Sequence, residues 1–333
     1  MIRFLFNNIL QTISTIDPNT TVLNYLRAEQ HRTGTKEGCA SGDCGACTVV
    51  TAEVENGQLV YRSINSCLTL LPTLNGKQLI TVEDVKDGNQ LHAVQQAMVD
   101  HHGSQCGFCT PGIVMSLFAY QKNATRKPHS VEFNKADALA ALAGNLCRCT
   151  GYQPIINAAK EINDHLQPDK FDQQKQPTID ILNSIQPAQC HAISNAEHNT
   201  TPGSNTAFSP GTLQELDELL QQHPAAHLLA GGTDLVLEIT QKHQLFNTLI
   251  YLGEIKALKQ INLTTTHIEI GAAASLSQCH PVIADEYPDF GHLLERFASL
   301  QIRNQGTLGG NIANDSPVGD SPPALIAAEA ILQ

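Results

Sequence analysis

Residues 37–47 read Glu37-Gly38-Cys39-Ala40-Ser41-Gly42-Asp43-Cys44-Gly45-Ala46-Cys47, and a fourth cysteine, Cys67, follows after nineteen residues. The spacing C-x4-C-x2-C-x19-C is that of a plant-type [2Fe–2S] loop. Three thiolates on one short loop must converge on one small cluster. Gly38, Gly42, Gly45 and Ala46 let the backbone fold tightly and turn amide N–H groups toward the sulfurs. The fourth ligand would arrive from the end of a later strand. A structural zinc ion is the alternative. Zinc favours paired C-x2-C units, and three thiols on one loop suit iron–sulfur better.

The flanking sequence gives this loop a frame. Residues 2–7 and 11–15 suggest two strands about an Asn7-Asn8 turn, and a helix is expected over Val22–Arg32. Strands are expected at 48–54, 58–64 and 78–82. Strands mixed with one helix predict a small β-grasp domain over residues 1–85. The next stretch predicts helices over 90–100, 111–121, 135–143 and 152–166, hence a helical domain over 86–166. It carries a second set of thiols, Cys106-Gly-Phe-Cys109 and Cys147-Arg-Cys149. Both halves flank expected helices, so four thiolates could meet at helix ends. A helix N-terminus and Arg148 would favour their ionised form. Judged alone, this set leaves zinc a stronger rival than the first does.

Residues 167–206 are rich in Gln, Asn, Pro, Asp and Ser without an apolar period, and read as a linker. From Thr212 the pattern resumes. Leu213, Leu216, Leu219 and Leu220 mark an amphipathic helix, and short strands are expected at 227–235, 248–252 and 267–272. Residues 207–333 thus read as a partial α+β domain.

Composition agrees. The 333 residues imply two domains or a little more, and 41% hydrophobic content suffices for buried cores. Twenty Lys and Arg against 32 Asp and Glu give a net charge of −12, which argues against a nucleic-acid partner. No apolar run approaches a membrane span and no signal peptide is evident, so a cytoplasmic protein without a membrane partner is expected. In a reducing compartment clustered cysteines read as metal ligands rather than disulfides.

Taken together, Glu37–Cys47, Gln105-Cys106-Gly-Phe-Cys109-Thr-Pro-Gly and Gly144-Asn-Leu-Cys147-Arg-Cys149-Thr-Gly-Tyr152 resemble the iron–sulfur region of the molybdenum hydroxylases, the xanthine dehydrogenase/aldehyde oxidase family. The resemblance implies one [2Fe–2S] cluster on Cys39, Cys44, Cys47 and Cys67, in a ferredoxin-like domain. It implies a second on Cys106, Cys109, Cys147 and Cys149, in a four-helix domain, nearest the molybdopterin of a partner chain. Gln105 and Cys149 would contact that pterin. Leu228-Leu229-Ala230-Gly231-Gly232-Thr233-Asp234-Leu235 resembles the family's first flavin loop, and Ile302–Asp320 its second. The fold implied is α+β and multidomain, its last part an incomplete FAD-binding domain.

A Gly-Gly-Thr turn offers N–H groups and a hydroxyl to a pyrophosphate. Asp234 repels phosphate and suits ribityl or ribose hydroxyls. Phe297, Gly306, Thr307, Gly309, Gly310, Asn311, Asn314, Ser316 and Asp320 are expected to line the other side. Arg303 could bind a flavin phosphate or form an ion pair. The domain order resembles the iron–sulfur/FAD small subunit of a bacterial member of the family. That implies a molybdopterin-binding large subunit, two copies of each chain, and NAD⁺ as the final electron acceptor. No residue here is expected to be catalytic; the base and the molybdenum ligands would lie on the partner. The implied reaction is hydroxylation of hypoxanthine or xanthine, with an aldehyde- or nicotinate-type hydroxylase as the alternative within the class. A non-redox module holding two zinc ions is the alternative outside it. The family's flavin region continues past Gln333, so the chain reads as a fragment or a truncated product. His31, His101 and His102 are expected to face solvent, Glu83, Asp84 and Asp87 to form a solvated turn, and Cys190 and Cys279 to be free thiols without a catalytic role.

Overall fold

The computed structural model describes residues 1–124, 133–185, 190–196, 204–314 and 319–333. The chain forms two compact units. One holds residues 2–13 and 20–186, the other Met1, 14–19 and 187–333. Both cysteine sets lie in the first unit, so the two expected cluster domains are packed as one body. Residues 14–19, expected within the β-grasp, belong to the second unit.

In the first unit, β1 (Ile2–Phe6) and β2 (Ile9–Ile13) form a hairpin through Asn7 and Asn8, at φ 50° and 60°. Asparagine tolerates this left-handed conformation, as a tight hairpin turn requires. A second hairpin joins β3 (Thr48–Glu55) to β4 (Gln58–Asn65), and β5 (Gln78–Ile80) completes the sheet in the order β2-β1-β5-β3-β4. Only β1 and β5 pair in parallel. The expected helix is short: α1 (Val22–Asn24) runs into a π-helical turn at Tyr25–Glu29. Tyr25 packs edge-on to Phe4.

The helical part follows α2 (Val82–Val85) with α3 (Ala93–Asp100), α4 (Thr110–Ala124), α5 (Lys135–Leu142) and α6 (Gln153–Asp164). Residues Gly112–Ala119 of α4 are buried without a break. A helix apolar on every side is the mark of a central position. By contrast α6 buries only Ile155, Ala158, Ala159 and Ile162, one stripe at helical spacing.

The segment read as a linker is largely ordered. It carries α7 (Lys170–Gln173), α8 (Lys175–Ile185) and the strand β6 (His191–Ser194). Phe171, Ile179, Leu182 and Ile185 are buried in the same core as α4. The Gln, Asn and Asp residues that hid this periodicity occupy the outer face. Asp169 caps α7 and is bonded to His92 Nε2 (2.8 Å) and Lys122 Nζ (2.9 Å). A carboxylate at that depth is tolerated because both partners reach it.

The second unit contains a sheet in the order β6-β7-β9-β8, with β7 (Thr206–Ser209), β8 (His227–Leu229) and β9 (Thr248–Tyr251). Between its strands run α9 (Leu213–Gln222) and α10 (Leu235–Thr240). Asn19 ties residues 14–19 in by exchanging two hydrogen bonds with the Phe246 backbone. A hairpin of β10 (Ile261–Leu263) and β11 (Ile268–Ile270) precedes α11 (Leu276–Glu286), α12 (Pro288–Arg296), α13 (Leu300–Arg303), α14 (Leu308–Ala313) and α15 (Ser321–Ala327). Among the described residues no helix is long and apolar enough to cross a membrane.

Candidate cofactor centres

The β3–β4 hairpin explains how Cys47 meets Cys67. Thr48 pairs with Asn65, so the residues flanking the two strand ends fall side by side. The sulfurs lie 3.3 Å apart, and both residues are 2% exposed. Cys39 and Cys44 form the other pair of this set. The loop turns at Ala40, Gly42 and Gly45, with φ of 54°, 81° and 70°. It aims the N–H groups of Ser41 and Asp43 at the Cys39 sulfur, at 3.4 and 3.3 Å. Burial alone would raise the Cys39 thiol, but hydrogen bonds from Ser41 and Cys44 bring it to about 7. The Cys67 thiol moves upward, first because Cys47 shares its proton and then through burial.

The second set sits at helix ends. Cys109 immediately precedes α4, and Cys147 and Cys149 lie between α5 and α6. Cys106 pairs with Cys149, both exposed, and Cys109 pairs with Cys147, both half-buried. Burial and the Cys147 neighbour push Cys109 up to about 12. Burial also opposes ionisation of Cys147, yet the Thr150 hydroxyl at 3.1 Å and nearby N–H groups bring that thiol to about 7. Arg148, expected to assist, is exposed, and the largest causes that lower this thiol are the hydrogen bonds from Thr150 and its neighbours. Gln105 is exposed beside the Cys106–Cys149 pair, as are Phe108 and Leu146.

Among the described residues, no three His, Cys, Asp or Glu side chains close as the ligand shell of a metal ion. The thiols meet two by two, as a centre with two irons divides four ligands. Four thiols in two pairs, with backbone N–H groups on the sulfurs, fit a [2Fe–2S] cluster at the first set. The second set has the same pairing.

The two loops touch. Leu146 N–H donates to the Cys44 carbonyl at 3.0 Å. Asn145 and Leu146 stand in the Gly144–Tyr152 stretch but were given no role of their own. Their only signal was position, directly before Cys147.

In the second unit the two Gly-rich stretches also abut. A Cβ on Gly231 would lie 2.0 Å from the Gln305 carbonyl oxygen, and one on Gly306 would lie 3.3 Å from Thr233 Oγ1. Leu229 is buried in the core, while Leu228 is exposed. Leu235 opens α10, with Asp234 before it. On the other side the expected lining has local duties. Gly309 packs on Ala272, the Gly310 N–H is taken by Thr307 Oγ1 at 3.0 Å, and Asn311 Oδ1 accepts from Ser321. Asn314 and Asp320 are exposed, Phe297 is half-buried, and Ser316 lies outside the described residues.

Other expectations are corrected. The Arg303 guanidinium donates to the carbonyls of Phe297 and Ala298, at 2.7 and 2.9 Å, and makes no salt bridge within 4 Å among the described residues. Asp84 is buried, caps α2 with Thr81 and is paired with Arg32. His101 pairs with Glu161. Cys279 is buried, and burial raises its thiol to about 12, which leaves it inert.

Three family models match in the order the geometry suggests. Residues 7–71 match a 2Fe–2S iron–sulfur cluster binding domain, 81–160 a [2Fe–2S] binding domain, and 203–333 an FAD binding domain in molybdopterin dehydrogenase. The chain matches the iron–sulfur and FAD region of the molybdenum hydroxylases. Its cofactors are two [2Fe–2S] clusters and FAD. Xanthine dehydrogenase of Emericella nidulans is 34% identical over 99% of this chain, and that of Drosophila pseudoobscura pseudoobscura 35% identical over 99%. The chain spans 27% of the length of either relative. Among solved structures, quinoline 2-oxidoreductase of Pseudomonas putida 86 is 31% identical, covering 49% of this chain and 93% of its own, with a TM-score of 0.42.

Proposed function

We propose that this chain is the electron-transfer part of a xanthine dehydrogenase-type enzyme. It serves a molybdopterin-bearing partner that hydroxylates hypoxanthine or xanthine, and NAD⁺ receives the electrons. The assembly is cytoplasmic, with two copies each of this chain and the large subunit. The observation that carries this reading is the pairing of thiols in both cysteine sets, within one compact unit. When bound, iron–sulfur clusters supply one-electron steps, and FAD converts these to the two-electron step that hydride transfer needs.

The chain's residues do the rest. Cys39, Cys44, Cys47 and Cys67 hold one cluster; Cys106, Cys109, Cys147 and Cys149 hold the other. Ser41 and Asp43 N–H groups stabilise negative charge on Cys39. Burial of Cys47 and Cys67 keeps water from that side of the first cluster. The exposed Gln105 and Cys149 offer the second cluster to the pterin of the partner. Gly231, Gly232 and Thr233 cradle the FAD pyrophosphate, and Asp234 takes a flavin hydroxyl.

Iron, zinc and flavin content of anaerobically purified chain tests this. About four irons per chain are expected from two such clusters, with FAD beside them and a red-brown colour. Zinc in place of iron, in colourless protein, would overturn the reading. In the complex, Cys147→Ser should remove one cluster and block NAD⁺-linked turnover. Assay against purines, aldehydes and N-heterocycles fixes the substrate class.

A further inference from the structure

We infer that Asn145 is a positioning residue that sets the electronic coupling between the two cluster loops. The assignment rests on both cysteine sets holding clusters. Asn145 is 3% exposed, on the turn that leads into Cys147. Its Nδ2 donates to the Gly45 carbonyl at 3.1 Å and to Thr48 Oγ1 at 3.3 Å, and its Oδ1 accepts from Ser116 Oγ at 2.6 Å. One amide thus joins the first cysteine loop, the start of β3, and the middle of α4.

The Gly45 carbonyl is held unusually firmly. It also accepts from Thr48 N–H at 3.1 Å and Thr48 Oγ1 at 2.7 Å. Three donors on an oxygen with two lone pairs leave it little freedom. The contact is also as close as backbones allow. A Cβ on Gly45 would sit 2.1 Å from the Gly144 carbonyl oxygen, and one on Gly112 would sit 2.1 Å from the Gly45 oxygen. Gly45 lies between Cys44 and Cys47, and Asn145 lies two residues before Cys147. Beside this amide, Leu146 N–H bonds the Cys44 carbonyl. Coupling between redox centres falls steeply with separation. A buried amide that fastens the two ligand loops backbone to backbone therefore controls that separation, without touching either cluster. Losing it removes the side-chain bridge that ties Gly45 and Thr48 to Ser116; Thr48 still bonds the Gly45 carbonyl within its own loop, but the amide no longer fastens that loop to α4 and to the segment leading into Cys147.

The test reads the magnetic interaction between the two clusters, both reduced, in electron paramagnetic resonance of the iron-loaded chain. Wild-type chain with four irons should show a low-temperature splitting. Without four irons the underlying assignment of the clusters fails, and not this one alone. Asn145→Ala removes the bonds to Gly45, Thr48 and Ser116, and Asn145→Asp keeps the shape and the Ser116 bond but turns the donor into an acceptor. Both should retain iron, with the splitting lost or clearly narrowed and inter-cluster electron transfer slowed. A wild-type splitting in either variant at full iron content would overturn the assignment. Loss of iron from both variants would also overturn it, because Asn145 would then be a residue of cluster retention rather than of spacing.

Discussion

The two cysteine sets have the same chemistry and opposite settings. In the first, Cys47 and Cys67 are 2% exposed, and the ligand positions follow from a strand register. In the second, Cys106 and Cys149 are exposed, and the positions follow from where helices begin and end. In each set the structure pairs the thiols two by two and lowers one thiol to about 7, at Cys39 and at Cys147. Donor chemistry can thus be conserved locally by short hydrogen bonds, while burial is assigned by the surrounding fold. The difference has a functional sense. A buried centre is insulated, and an exposed one is available to a partner.

The strongest way to break this comparison is to remove one ligand from each set. Cys67→Ser should cost about 3 kcal/mol or more as well as a cluster, because a buried polar hydroxyl replaces a ligand in the core. Cys149→Ser should cost a cluster with little loss of fold. Iron content and thermal melting of the two variants decide the matter; equal losses of stability would erase the contrast.

The second set can be exposed because its domain is held elsewhere, by α4 and the α7–α8 strap. Asp169→Ala removes one of two carboxylates on the buried Lys122, leaving Asp172 at 2.7 Å, and takes away the partner of His92; it should destabilise the unit by ~2 kcal/mol. The pH dependence has a definite sign. Burial alone would raise the Asp169 carboxyl, but His92 and Lys122 hold it well below the usual carboxylate range. Its stabilisation is therefore complete above the ordinary value of about 4 and is lost as pH falls below it. Asp169→Asn should flatten the acid limb of a melting-temperature profile; an unchanged limb would show that the strap is not an electrostatic clamp.

Two glycines sharpen the comparison on a smaller scale. Gly45, φ 70°, has no room for a Cβ, whereas Gly107, φ 84°, has nothing within 4 Å of one. Gly45→Ala should cost ~2–3 kcal/mol from crowding and backbone strain. Gly107→Ala should cost ~1 kcal/mol from the left-handed backbone alone. Denaturant titration of both measures the gap. The smallest effect concerns thiol reactivity in metal-free chain. Alkylation followed by mass spectrometry should show Cys39 and Cys147 reacting with a midpoint near pH 7, and Cys109 resisting until about pH 12. A thiol reacts as its thiolate, so the labelling rises with pH.

Much of this was legible in the linear chain. Ligand spacing is a local property, because Cys39, Cys44 and Cys47 are confined to one loop whatever the rest does. The same holds for the Asn7-Asn8 turn and for α6, whose buried stripe has helical period. The stretch 167–206 misled because its apolar residues are sparse, and their partners lie on α4 and the sheet. Asp84 misled for a related reason: a charge next to turn residues looks solvated until its distant partner, Arg32, is known.

Chemical identity was therefore set by the sequence itself: eight thiols in two spacings, two glycine-rich stretches, and an acidic surface. Residue type and short-range spacing suffice for that, since they decide which donors exist and which can reach one centre. Which thiols pair, which pair is buried, and how Asn145 fastens one loop to the other were decided only by tertiary structure. Those depend on contacts between residues separated along the chain, by 20 positions for Cys47 and Cys67 and by 100 for Gly45 and Asn145, and ligand spacing alone does not encode them.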